Sequence, residues 1–225
     1  MIETQRLTKI YGAGTHRQVD AVRDLDLKME DGTFVALQGP SGCGKTTVLS
    51  MIGLILTPTS GKVIIDGKDV TAFSDYWKAI YRRENMGFIF QHINLMPGYN
   101  AIENVVIPLL CRDKRVTSYK ERAKELFNKL GILDRMNYRV EMLSGGEQQR
   151  VAIVRALVSD PRIILADEPT VFVDAETNRI ILDMLHELRD EGKTVIVATH
   201  DVKIAKATDV IYTMEKGTLG TKGSS

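Results

Sequence analysis

The sequence predicts an α/β protein: a mostly parallel sheet core, an antiparallel β region near its start, and an α-helical lobe inserted between two sheet-forming stretches. Three observations carry this. Apolar, β-branched runs alternate with helical patterns at both ends of the 225-residue chain. The middle, from about residue 91 to 160, is helical. A glycine-rich segment, GPSGCGKTT from Gly39 to Thr47, stands between the apolar run Phe34–Leu37 and the helical pattern Val48–Leu56.

The elements follow in order. Ile2–Thr8, Val19–Leu27 and Thr33–Gln38 read as strands, as does Lys62–Ile65, closed by an Asp66-Gly67 turn. Thr46–Ile55 is the helix after the glycine-rich loop, and a second helix runs from Ser74 through Arg83 to the strand Met86–Phe90. In the middle, Ser118–Leu130 repeats Ala123, Leu126, Phe127 and Leu130 at helical spacing, and Gly146–Val158 is a further helix. Pro161 precedes the strand Arg162–Ala166, which ends at Asp167-Glu168. Ala175–Arg189 is a helix with Ile181, Met184, Leu185 and Leu188 on one face, and the strand Val195–Thr199 ends at His200.

Bulk properties narrow the function. A chain of this size can bury a full core as one domain, or as one domain with a subdomain. Net charge is +1, so no global basic field marks nucleic acid as a partner. Cys43 and Cys111 are too few for a disulfide framework and lack the spacing of a metal site, which fits a reducing compartment. Met1–Ile10 has no apolar signal-peptide core, and the longest apolar run, Val48–Leu56, is too short to span a bilayer. Work at a membrane would go through a partner. The polar tail Gly217–Ser225 is expected to fray.

The glycine-rich segment has phosphate-binding-loop spacing: a Gly, four residues, then Gly-Lys-Thr. Gly39, Pro40, Ser41, Gly42, Cys43, Gly44, Lys45, Thr46 and Thr47 would form the cradle, with backbone amides and a helix N-terminus aimed at the phosphates. Lys45 would reach the β- and γ-phosphates, and the Thr46 hydroxyl would ligate Mg²⁺. Gly39, Gln91, Asp167 and His200 each follow an expected strand. Ligands of such sheets bind beyond the carboxyl ends of the strands, so these four would share one composite site. Ser144-Gly145-Gly146 opens a helix and offers a second anion site. The same residues, with Glu147 three positions after Ser144, also read as a plain capping box.

Four further segments narrow the family. LSGGEQQR (Leu143–Arg150), IILADE (Ile163–Glu168), Gln91 after FIF, and ATHD (Ala198–Asp201) resemble the signature, Walker B, Q-loop and switch-histidine segments of the ABC (ATP-binding cassette) ATPases, in that family's order. The resemblance runs from Tyr11 to Gly217. It implies a RecA-like P-loop NTPase core with the antiparallel β region in residues 1–91, a helical subdomain with the signature in 92–160, and the rest of the core in 161–225. It implies ATP and Mg²⁺ as ligands and hydrolysis as the reaction. Asp167 would hold Mg²⁺ through water, Glu168 would be the general base, and Gln91 would contact metal and water. His200 would donate to the γ-phosphate and Tyr11 would stack on adenine. Ser144, Gly145, Gly146 and Glu147 of one copy would meet the γ-phosphate held by another, so a second copy is an expected partner. Asp174, the D-loop aspartate, would lie at that interface.

The chain departs from the family pattern twice. EPTVFVD carries Val171 and Phe172 where small residues are usual, and Val173 where Leu is usual. Bulk there is expected to alter hydrolysis with nucleotide binding intact; equal turnover of a Phe172→Gly variant would contradict this. Cys43 sits at a helix N-terminus near Lys45, where a lowered thiol pKa and ATP-protected reactivity would follow. A passive small residue is the alternative.

Leu95, Pro97, Ala101, Glu103-Asn104-Val105 and Pro108 resemble the ATPases of lipoprotein-releasing and macrolide-export systems, and the bacterial cell-division ATPase is similar. That resemblance implies a peripheral protein on the cytoplasmic face of the inner membrane. Its partners would be integral membrane permease subunits, one of whose short helices would dock near Gln91. ABC ATPases of ribosomes or DNA carry two cassettes or a long coiled-coil insertion, and neither is present. A weakly active regulatory subunit is opposed by intact Lys45, Glu168 and His200, and kept open by the D-loop.

Overall fold

The computed structural model describes residues 1–109, 116–171 and 173–220. Expectations at Cys111, Phe172 and the tail 221–225 lie outside the described residues. The chain runs β1 (Ile2–Tyr11), β2 (Val19–Met29), β3 (Phe34–Gln38), α1 (Lys45–Ile52), β4 (Ser60–Ile65), β5 (Lys68–Asp69), α2 (Asp75–Asn85) and β6 (Met86–Ile89). It continues with α3 (Ala101–Val106), α4 (Val116–Lys129), α5 (Gly145–Leu157), β7 (Ile163–Asp167), α6 (Ala175–Asp190), β8 (Thr194–Thr199), α7 (Val202–Lys206), β9 (Val210–Glu215) and β10 (Thr218–Leu219).

Two sheets result. One is antiparallel, in the order β2-β1-β4-β5. The other has the order β10-β9-β3-β8-β7-β6, and its five strands from β9 to β6 are parallel. Side chains alternate across this central sheet, as the pleat requires. Val35, Leu37, Ile163, Leu165, Ile196 and Ala198 face one apolar cluster, shared with the antiparallel sheet and α1. Phe34, Ala36, Ile164, Ala166, Val195 and Val197 face the other, shared with α6 and with Ala101, Ala123, Phe127 and Val151 of the helical middle. Both faces are therefore dry, which explains why these strands read as continuous apolar runs rather than alternating ones. Truncating Leu37 or Leu165 to Ala would cost about 2–5 kcal/mol.

Most element ends move by one or two residues from expectation. The largest shifts, three residues each, are at β1, which runs on to Tyr11 rather than Thr8, and at α1, which stops at Ile52 rather than Ile55. Gly53 caps it, and Leu54 turns into the left-handed region at φ 57°. Five elements are additional to the expected set: β5, α3, α7, β9 and β10. Among them β9 matters most, because it closes the sheet beside β3 and brings its following turn under the phosphate loop. There the Gly217 amide donates to the Cys43 carbonyl at 3.0 Å, and the Arg23 amide donates to the Gly217 carbonyl at 2.8 Å. Among the described residues no helix is long and apolar enough to cross a membrane.

Candidate functional site

The parallel strands β3, β8, β7 and β6 lie side by side, so their carboxyl ends form one edge. Gly39, His200, Glu168 and Gln91 follow these four ends, with Asp167 as the last residue of β7. The edge expected from sequence is therefore built.

The loop from Gly39 to Gly44 is held by backbone. The Gly39 amide donates to the Thr199 carbonyl at 3.2 Å, tying the loop to the end of β8. Gly44 caps α1 at φ 105°, and a Cβ there would fall 2.4 Å from the Ala21 carbonyl oxygen. Only glycine fits that conformation and that approach. Lys45 is 6% exposed, and its ammonium donates to the Gly39 and Pro40 carbonyls at 2.7 and 3.0 Å. A cavity of about 350 Å³ opens over the loop, lined by Gly42, Gly44, Lys45, Thr46 and Thr47, and by Val19, Asp20, Ala21, Arg23, Lys216 and Gly217. The last six escaped the sequence reading, since each belongs to a polar or mixed segment brought near only by sheet pairing.

Beneath the loop the acids converge. The Thr46 hydroxyl donates to Asp167 Oδ1 at 3.1 Å. Burial pushes the Asp167 carboxyl above its ordinary range, and the neighbouring Glu168 charge adds to this against the Thr46 bond and Lys45. Glu168 leaves β7 through the left-handed region at φ 46°, its amide donating to the Ala198 carbonyl. That twist turns it to a different surface from Asp167. Glu168 Oε1 lies 2.8 Å from His200 Nδ1 and 4.0 Å from the Lys45 ammonium, while Oε2 accepts from the Thr199 hydroxyl at 3.2 Å. Thr199 is fully buried and also accepts from the Asp201 amide, so it fixes both Glu168 and the turn that carries His200. Two protein oxygens, on Thr46 and Asp167, stand together as hard donors of the kind Mg²⁺ takes alongside phosphate oxygens.

Other expected residues lie on the rim. Gln91 is exposed, two residues beyond β6. Tyr11 ends β1 opposite Val19, with 43% of its surface exposed and the Lys9 ammonium 5.4 Å from its ring centroid. Cys43 differs from the reactive-thiol expectation. It is 4% exposed in the apolar cluster under the loop, with Sγ packed toward Gly39, so reagents have no ready access.

The second anion element is the head of α5. Ser144 caps it, and the capping box with Glu147 is complete. Ser144 is exposed, and among the described residues a Cβ on Gly145 would meet nothing within 4 Å beyond its chain neighbours and its own helix backbone. Gly146 lies beside Thr177 and Asp174. Asp174 caps α6 by accepting from the Thr177 amide at 2.8 Å and hydroxyl at 3.1 Å, so it abuts the head of α5 within one chain. Gln149, buried in α5, donates to the Pro169 carbonyl at 2.9 Å and joins that helix to the segment after Glu168.

Comparison with known proteins gives concordant matches. Residues 22–171 match the ABC transporter family. An uncharacterized ABC transporter ATP-binding protein of Methanocaldococcus jannaschii is 41% identical over 220 residues, covering 97% of each chain. The lipoprotein-releasing system ATP-binding protein LolD of Syntrophus aciditrophicus is 44% identical over 206 residues, 91% of this chain and 92% of the relative. The macrolide export ATP-binding/permease protein MacB of Bdellovibrio bacteriovorus is 40% identical over 97% of this chain, which spans only 33% of that longer relative. Among solved structures, the dimeric post-hydrolysis state of the ATP-binding cassette MJ0796 bound to ADP and Pi superposes with a TM-score of 0.91 at 37% identity. That match covers 98% of this chain and 97% of the other.

Proposed function

This chain belongs to the ABC transporter family as an ATP-binding ATPase subunit, and we propose that two copies close on two ATP molecules to drive a separate membrane permease of the lipoprotein-release or macrolide-export kind. The observation that carries the reading is the Glu168 carboxylate, which contacts Lys45 from the phosphate loop and His200 from the end of β8 at one strand edge.

In this reading the amides of the loop and of the first turn of α1 hold the phosphates, from Gly39 to Thr47. Lys45 exchanges its two carbonyl partners for β- and γ-phosphate oxygens, and a buried ammonium is strengthened as a partner by its low-dielectric surroundings. Thr46 and Asp167, with Gln91 nearby, would hold Mg²⁺, which supplies charge neutralisation on the phosphates when bound. Glu168 accepts the proton of the attacking water. It is poised for this because Thr199 and His200 fix its orientation, and phosphoryl transfer to water needs positioning more than covalent chemistry. His200 then donates to the γ-phosphate. Tyr11 stacks on the adenine at the rim of the cavity.

The helical segment 92–160 acts as the unit that presents Ser144, Gly145, Gly146 and Glu147 to the nucleotide of the second copy, with Asp174 along the same interface. Arg155 braces that segment, donating to the Ile93 and Asn94 carbonyls at 2.8 and 2.7 Å. A groove of about 460 Å³ between α2 and α5, lined by Arg82, Phe88, Phe90, Leu109 and Arg155 among others, supports docking of a permease at the cytoplasmic face of the membrane. ATP turnover of the purified chain, alone and with permeases of the two kinds in vesicles, tests this. Stimulation by one of them is expected; turnover indifferent to any permease would contradict it.

A further inference from the structure

The capping box poses a problem for the trans contact. Ser144 Oγ accepts from the Glu147 amide at 3.3 Å and donates to Glu147 Oε2 at 2.9 Å, while that same oxygen accepts from the Ser144 amide at 2.8 Å. The helix end that would receive a polyanion already carries a carboxylate. The hydroxyl that would meet the phosphate is committed to it.

Arg135 answers this. It lies in the short turn Leu133–Arg135, and its Nε donates to Glu147 Oε1 at 2.7 Å, the oxygen that Ser144 does not use. The guanidinium is itself fixed. It bonds Asp134 Oδ2 through Nη1 at 2.6 Å and lies 5.2 Å from the Tyr138 ring centroid. About a third of the Arg135 side chain and a fifth of the Glu147 side chain are exposed, so the contact is partly shielded from solvent. The bond to Arg135, followed by the Ser144 amide, holds the Glu147 carboxyl below the usual carboxylate range.

We infer that Arg135 is a positioning residue for ATP-driven pairing: it neutralises and orients Glu147, so that the head of α5 accepts the partner copy's γ-phosphate and the Ser144 hydroxyl can turn from Glu147 to that phosphate. The inference rests on the reading that Ser144–Glu147 meets nucleotide held by a second copy. Charge is what decides it. Asp134 and Glu147 bring two negative charges to this helix end, and Arg135 cancels one of them; without it both would act on the incoming phosphate.

The test uses the Glu168→Gln chain, in which loss of the general base lets bound ATP persist, and reads sedimentation against ATP concentration. Arg135→Ala is expected to leave ATP binding by the single chain unchanged and to raise the ATP concentration for half-maximal pairing at least tenfold, the size of one charge-assisted bond. Arg135→Lys should recover part of the loss, since it restores charge without the planar fork. In a Glu147→Gln background, Arg135→Ala should change pairing by less than about twofold, because the carboxylate it orients is gone and the remaining Asp134 charge is exposed and screened by solvent. A merely structural Arg135 would cost the same in both backgrounds, and that result, or unchanged pairing in the first, overturns the inference. Should the Glu168→Gln chain with Arg135 and Glu147 intact fail to pair with ATP, the trans reading fails and this inference falls with it.

Discussion

The two anion elements expected from the sequence are built in opposite ways. At the phosphate loop, Lys45, Asp167, Glu168 and Thr199 are all buried: Lys45 donates to carbonyls just after β3, Asp167 accepts from Thr46 of α1, and Glu168 accepts from Thr199 at the end of β8. At the head of α5, Ser144 and Gly145 are exposed, and among the described residues nothing beyond its chain neighbours and its own helix backbone stands within 4 Å of where a Gly145 Cβ would be. One half-site is enclosed by its own fold. The other is an open helix end, complete as a cap and waiting as a site. Under the proposed function, the contrast means that the single chain grips nucleotide, while the second element adds something only when another surface arrives.

The contrast can be broken most forcefully at Glu168. Replacing it with Gln should lower ATP turnover about 10²–10⁴-fold, the usual worth of a positioned base, while ATP still binds; a turnover assay beside a binding titration checks this. Next in size is a glycine pair. Gly44→Ala forces a Cβ into the Ala21 carbonyl at φ 105°, at about 1–3 kcal/mol for the dihedral alone before the clash is counted. Gly145→Ala meets open space and should leave thermal stability within about 0.5 kcal/mol of wild type, while ATP-driven pairing suffers. Equal destabilisation by the two would erase the distinction between a closed and an open half.

A smaller effect concerns Asp167. Its folded pKa is raised by burial above the ordinary 3.8, so its favourable contribution is full below that value and is lost as pH rises through the folded one. At pH 7 the buried charge therefore costs stability. Asp167→Asn should raise the melting temperature at pH 7, by a margin that shrinks as pH falls toward 4, even as Mg²⁺-dependent turnover drops. A lower melting temperature at pH 7 would show the carboxylate to be a net structural asset. Smallest is Cys43: buried under the loop, it should label slowly in the folded chain and quickly in denaturant, with ATP making little further difference. Fast, ATP-sensitive labelling would mean that the loop opens where the structure has it closed.

Much of the enclosed half was legible in the sequence because its chemistry is local. GPSGCGKTT follows β3 directly, and Asp167 and His200 sit at the ends of β7 and β8, so strand assignment alone put them at one edge. The capping box at Ser144 and Glu147 was equally legible, since it spans four residues. A second box of the same kind, Asn100 with Glu103, starts α3, a helix of six residues, too short for its apolar positions to stand out as a period. What could not be read is whatever depends on distant pairing. Thr199 as the support of Glu168, Arg135 as the partner of Glu147, and Lys216 and Gly217 beneath the phosphate loop belong to no motif shared with the residues they touch.

By itself, then, the sequence determined the strand ends, the phosphate loop and the caps, because these follow from residue types within one or two turns of chain. Tertiary structure alone decided which carboxylate oxygen each cation and hydroxyl takes, that Cys43 faces inward, and that β9 closes the sheet. Those outcomes are set by burial and by hydrogen bonds between segments tens of residues apart, where the choice of partner depends on the geometry of the sheet and leaves no period in the sequence.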